Sequence, residues 1–167
     1  MNRSGDVDNV NSFKILFTNS DVFTQTKLQE LKLRTEQTKP SVIAISEVKP
    51  KNFKREIQLS EFNIEGYEIL SVNLSKNPPG RGVLLYVKES LKYSPVIFND
   101  INFEENMLCE INIGHNKKIL VGSVYRSPSS SYDNFEQLCK LFVCSVNKQF
   151  SEVFLFGDMN FLNIDWK

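Results

Sequence analysis

The sequence predicts an α/β protein, on three observations. A helical pattern leads into an uninterrupted apolar run twice, once ahead of Ser46 and again ahead of Phe156. Each run ends on a carboxylate, Glu47 or Asp158. Between these units, alternating apolar segments flank Gly114-His-Asn116, as the arms of an antiparallel hairpin do.

Taken in chain order, residues 1–11 are polar and form an expected disordered lead-in, and the folded domain spans 12–167. Phe13 to Phe17 reads as a first strand, ending at Thr18 and Asn19. Thr26 with Gln29 fits a capping box opening a helix whose stripe includes Leu28 and Leu31, and Pro40 stops it near Thr38. Val42 to Ser46 is the continuous apolar run of a strand covered on both faces. After an irregular polar segment, Tyr67 to Val72 is strand-like, and Asn77-Pro-Pro-Gly-Arg-Gly82 is a turn-rich loop leading into the buried strand Val83 to Val87. Met107 to Ile113 and Ile119 to Tyr125 are the hairpin arms. Asp133 with Glu136 makes a second capping box before a helix carrying Phe135, Leu138, Phe142 and Val146, and Val153 to Phe156 is the last buried strand.

Bulk properties narrow the function classes. With 41% hydrophobic and 24% charged residues, the 167-residue chain has ordinary globular composition and can bury roughly 70% of its unfolded surface as one domain. Basic and acidic residues cancel at twenty each, so contact with nucleic acid has to come from a local patch. Lys49, Lys51, Lys54 and Arg55, interleaved with Phe53, form such a patch, which could equally be a solvated loop. Cys109, Cys139 and Cys144 lack metal-ligand spacing and read as reduced core residues of an intracellular protein. No signal-peptide pattern and no apolar stretch of ~18 residues occurs.

The chemistry lies at the strand exits. A hard divalent cation takes oxygen ligands, usually one or two carboxylates with water and substrate phosphate. Glu47 and Asp158 offer carboxylates, and Asn19 and Asn160 place amides just after buried strands. A lone strand-end acid is usually a loop residue, but four such side chains at one edge resemble a phosphoester-hydrolysis site. Tyr125 and Arg126, closing a strand before Ser127-Pro128, could hold a phosphate, or pack as an edge tyrosine and a solvated arginine. Gly80-Arg-Gly82 lacks Walker spacing and reads as a tight lead into the next strand. His115, the one histidine, falls in the hairpin turn, so a two-histidine metal site cannot be built and a Ser-His-Asp triad is not indicated.

Read together, Thr18-Asn19, Val42-Ile-Ala-Ile-Ser-Glu-Val-Lys49, Gly80-Arg-Gly-Val-Leu-Leu-Tyr-Val-Lys88, Val124-Tyr-Arg-Ser-Pro128, Phe156-Gly-Asp-Met-Asn160 and Ile164-Asp-Trp166 resemble the endonuclease/exonuclease/phosphatase family, particularly the endonuclease domains of non-LTR retrotransposons. The resemblance implies a two-sheet α/β sandwich of DNase I-like type. It implies that Glu47 is the principal Mg²⁺ ligand, with Mn²⁺ able to substitute, and that Asn19 organises the metal. Asp158 and Asn160 would then orient or activate water, Tyr125 would contact phosphate, and Lys49 would support the site. The implied reaction nicks DNA to leave a 3′-hydroxyl that primes a reverse transcriptase domain downstream in a longer protein, and a chromosomal target implies the nucleus. Family members continue past the Ile-Asp-Trp segment to further strands and a Ser-Asp-His motif. This sequence contains no Ser-Asp-His and ends at Lys167, so a fold incomplete at the C-terminus, an unpaired edge at Val153 to Phe156, and weak or absent activity are expected. The alternatives are a small-phosphoester phosphatase of the same fold and a non-catalytic remnant that binds DNA or protein.

Overall fold

The computed structural model describes residues 12–75, 80–114, 117–147 and 150–161. The elements run β1 (Ile15–Asn19), α1 (Gln25–Thr38), β2 (Val42–Ser46), a 3-10 turn (Leu59–Phe62), β3 (Tyr67–Val72), β4 (Val83–Lys88), β5 (Lys92–Pro95), β6 (Asn106–Asn112), β7 (Lys118–Tyr125), α2 (Tyr132–Asn147) and β8 (Glu152–Asp158). They build two four-stranded mixed sheets, ordered β1-β2-β4-β3 and β5-β6-β7-β8, with β1 parallel to β2 and β7 parallel to β8.

Strand periodicity sorts the side chains into layers. Val42 and Ala44 of β2 face Cys109, Ile111, Ile119 and Val121 of the second sheet, forming the inter-sheet core. Ile43 and Ile45, on the opposite face of β2, pack under Leu28 and Leu31 of α1. Leu120 and Val124 of β7 meet Leu138 and Leu141 of α2. The result is a helix–sheet–sheet–helix sandwich, which is why the β2 run is buried at every position and reads as unbroken apolar sequence.

Several local expectations change. The first helix is capped by Thr24, whose hydroxyl accepts from the Lys27 N–H, rather than by Thr26. The second begins after Ser131, whose Oγ accepts from the Asn134 N–H, so Ser131 takes the role assigned to Asp133. In both cases a hydroxyl residue stands ahead of the predicted cap and satisfies the orphan amide first. The short, largely exposed β5 carries no apolar alternation and was not predicted. β8 is the last strand of its sheet among the described residues, and its side chains are partly exposed where those of β7 are buried. Cys109 is buried, which pushes its thiol up to about 12, and the three cysteines are unpaired thiols. Among the described residues, no helix is long and apolar enough to cross a membrane.

Gly157 pairs with Val124 across β7 and β8, and a Cβ there would collide with the Val124 carbonyl oxygen. Gly157→Ala is expected to destabilise the fold by about 1–3 kcal/mol through this overpacking, lowering the urea midpoint. An unchanged midpoint would mean that β8 is free to shift away from β7.

Candidate active site

Periodicity also delivers the site. Ile15 and Phe17 of β1 and Phe154 and Phe156 of β8 line the inter-sheet core, and Phe17 stacks on Phe156 with centroids 5.9 Å apart. One step further along the same faces, at the strands' C-terminal ends, stand Asn19 and Asp158. Tyr125 follows the parity of Ile119 and Val121 and lies opposite Asp158 in register. The site is therefore the polar final layer of the core between the sheets.

Glu47 joins this layer by a backbone switch. It follows β2 in the left-handed region (φ 57°), and the Val22 and Phe23 amides donate to the carbonyls of Glu47 and Val48 at 2.8 Å. The Asn19 amide then bridges the two acids, donating to Glu47 Oε1 at 2.7 Å and to Asp158 Oδ2 at 3.0 Å. The structure thus brings together Asn19, Glu47 and Asp158, with Tyr125 beside them. Burial, then the negative charge of Glu47, raises the Tyr125 phenol above its ordinary value, so at neutral pH it is a hydrogen-bond donor.

Other predicted residues have different surroundings. Asn160, also at positive φ (48°), turns its side-chain amide to the Arg126 carbonyl at 2.8 Å, while its backbone N–H donates to Asp158 Oδ1 at 3.1 Å. It ties the loop after β8 to the end of β7. The Arg126 guanidinium lies between the Phe135 and Phe161 rings, 5.8 and 5.7 Å from their centroids, and donates to the Met159 and Asn160 carbonyls. This aromatic packing, rather than solvent, is where the phosphate contact expected of Arg126 would have to start.

Lys49 does not belong to an exposed patch. It is 1% exposed, and its ammonium is bound to the Ser75 carbonyl. Burial lowers its pKa, opposed by the charge of Glu105. Lys51, Lys54 and Arg55 remain exposed, with Lys51 donating to Ser129 Oγ at 3.1 Å and Arg55 paired with Glu61. His115 and Ile164-Asp-Trp166 lie outside the described residues.

Three residues of the site were not predicted. Arg81 Nη2 lies 2.7 Å from Glu47 Oε2 and 2.7 Å from Asp21 Oδ1, and its Nε donates to the Lys49 carbonyl at 2.8 Å. Burial alone would lower its pKa, but the bond to Asp21 and the charge of Glu47 raise it overall. Glu105 Oε1 accepts the Arg81 and Gly82 backbone amides at 2.7 and 2.8 Å. The signal for this arrangement was Gly80-Arg-Gly82, where glycines on both sides of a charged residue mark a backbone held close to something else.

The oxygens of Glu47 and Asp158 fit a hard divalent ion held by one or two carboxylates, while Asn19 presents its N–H₂ to them and its Oδ1 accepts from the Asp21 N–H at 3.2 Å. Among the described residues there is no cluster of three or more His, Cys, Asp or Glu side chains placed to hold a metal. Completion of a coordination sphere would therefore fall to water and substrate.

Burial raises the Glu105 carboxyl above its ordinary range, against the lowering effect of the two backbone amides and Lys49. A carboxyl with a raised folded-state pKa contributes stability that is fully present below the unfolded-state pKa and lost as pH rises through the folded-state value. Glu105→Gln should flatten that loss as pH rises above about 4 in urea unfolding at stepped pH. Equal slopes for the two proteins would show that Glu105 titrates alike folded and unfolded.

No protein-family model and no curated protein matches this chain. Solved structures do. The endonuclease domain of TRAS1, a telomere-specific non-LTR retrotransposon, is similar at 14% identity and TM-score 0.64, over 91% of this chain and 61% of that one. D. rerio TDP2 complexed with single strand DNA product is similar at 12% identity and TM-score 0.63, over 90% and 62%. An AP endonuclease from Archaeoglobus fulgidus is similar at 18% identity and TM-score 0.51, over 89% and 58%. The chain thus spans 58–62% of the length of these structures. Its two mixed sheets and two helices have the DNase I-like architecture of the endonuclease/exonuclease/phosphatase fold.

Proposed function

We propose that this chain carries the metal-binding part of a DNA phosphodiester hydrolase of retrotransposon-endonuclease type. The observation that carries the reading is the convergence of Glu47 and Asp158, from different sheets, on the Asn19 amide. Two acids held this close repel each other in the absence of a cation, an arrangement that suits a divalent ion.

In this reading Glu47 would hold Mg²⁺ or Mn²⁺, with Asn19 organising the site through its bonds to the two acids, and the ion when bound would neutralise phosphate charge and stabilise the leaving oxygen. Asp158, fixed through Asn19 and the Asn160 backbone, orients the attacking water and takes its proton. The Tyr125 phenol donates to a phosphate oxygen. Asn160 and Arg126 act by holding the loop after β8 in place, and Lys49 by supporting the segment after Glu47. Lys51, Lys54 and Arg55 meet flanking phosphates. Attack on phosphorus breaks the P–O3′ bond, leaving a 5′-phosphate and the 3′-hydroxyl from which a reverse transcriptase domain of a longer protein could extend.

The test is nicking of supercoiled plasmid by the purified chain with and without Mg²⁺. Slow, Mg²⁺-dependent nicking is expected, reduced ~10²–10³-fold by Glu47→Ala or Asp158→Ala, and about tenfold by Tyr125→Phe. A folded protein whose nicking does not differ from that of the two alanine variants would sink the assignment.

A further inference from the structure

The Gly80-Arg-Gly82 turn has more structure around it than a lead into β4 needs. Glu105 Oε1 takes its two amides at 2.7 and 2.8 Å, and a Cβ on Gly80 would lie 2.7 Å from that oxygen. Gly82 has φ 71°, and a Cβ there would lie 2.9 Å from Leu74 Cδ2. The turn is also joined to the segment after Glu47, with the Lys49 N–H donating to the Arg81 carbonyl at 2.8 Å and the Val48 N–H to the Gly82 carbonyl at 3.2 Å. These bonds point one guanidinium at one carboxylate oxygen. Arg81 and Glu47 are 18% and 11% exposed at the side chain, so little water screens the pair.

Both oxygens of Glu47 are then engaged, Oε1 by Asn19 and Oε2 by Arg81. We propose that Arg81 is a positioning residue that stands in for the divalent cation: it holds Glu47 in its ligating pose before the metal arrives, and the metal has to compete with it for Oε2. This rests on the reading of Glu47 as a metal ligand. The physical need is plain. Without a cation, Glu47 and Asp158 would repel each other across one amide, and Asp21 would add a third negative charge at the rim. Arginine suits the task because its fork reaches two carboxylates and a carbonyl at once and never deprotonates. The arrangement also lowers metal affinity, since a fixed positive charge sits where the ion must come.

The direction of that effect separates this role from a merely structural one, because damage to the site would weaken metal binding. The experiment is titration of the purified chain with Mn²⁺ alone, read by electron paramagnetic resonance of the free ion. Wild type, Arg81→Met, Arg81→Lys and Glu47→Gln are compared, each with folding verified by circular dichroism. Arg81→Met is expected to bind at least about tenfold tighter than wild type, because the fixed positive charge that the ion must displace from Glu47 Oε2 is gone. Arg81→Lys, which keeps the charge without the fork, should fall between them and decides the matter if the methionine variant does not fold. Glu47→Gln should abolish binding. Binding to Arg81→Met but not to wild type supports the inference in its strongest form. Wild-type binding lost in Glu47→Gln but equal or weaker in both Arg81 variants would overturn it while leaving the metal site standing. Absence of Glu47-dependent binding in every protein would overturn both.

Discussion

Two carboxylates from different sheets meet on one asparagine amide, and the rest of the molecule is arranged so that they can. Asn19 is 28 residues from Glu47 and 139 from Asp158, so neither contact is local. The first depends on the parallel pairing of β1 with β2, where Asn19 lies opposite Ser46, and the second on β1 and β8 being packed face to face, with Phe17 on Phe156 the contact immediately beneath. A shift of either strand by one residue would turn its apolar side chains out of the inter-sheet core and its polar terminal residue away from the site. The hydrophobic register and the geometry of the candidate site are therefore one constraint. What holds the core in register also aims the acids.

Strain concentrates at the same end. Of the six non-glycine residues at positive φ among the described residues, Asp21, Val22, Glu47 and Asn160 lie in loops leaving β1, β2 and β8. For a β-branched residue such as Val22 (φ 72°) this backbone is costly, of order 1–3 kcal/mol, and it persists only where surroundings over-determine it. Here they do. The Lys27 ammonium gathers the carbonyls of Ser20, Asp21 and Val22, and the Ser20 hydroxyl bonds the carbonyls of Ser46 and Glu47. The loop after β1 is thereby fastened to the loop after β2. The strain turns Glu47 off the alternation of its strand, which would otherwise point it away from Asn19.

The layer order and the two acids were legible in the sequence because each follows from a one-dimensional pattern. An unbroken run such as Val42 to Ser46 announces cover on both faces, and a polar residue at its end marks an exit. The hairpin arms β6 and β7 were legible for the same reason. Residues set by tertiary partners were not. Lys49 looked like one cation of a basic loop, yet the chain turns it inward beside Glu105, from a distant loop. Arg126 read as a phosphate contact or a solvated side chain, and Phe135 and Phe161 flank it instead. Helix starts slipped because Thr24 and Ser131 stand ahead of equally good capping residues, and only the backbone path decides between them.

Glu105 shows how far the candidate site reaches from its two acids. Its backbone carbonyl accepts the Tyr125 amide at 2.9 Å, and its side chain fixes the turn that carries Arg81. One residue thus sets the height of the phenol at the end of β7 and the aim of the guanidinium at Glu47. Burial makes its own charge unfavourable, and the two turn amides with Lys49 offset part of that cost. If the carboxylate were lost, the turn amides would lose their acceptor and Lys49 its nearby negative charge, leaving buried donors unmet. Both sheets would then lose their common reference at the site: Arg81 belongs to the lead into β4 in the first, Tyr125 to β7 in the second. An acid that touches no substrate in the proposed reaction is in this way what ties the positive and negative halves of the site to one frame.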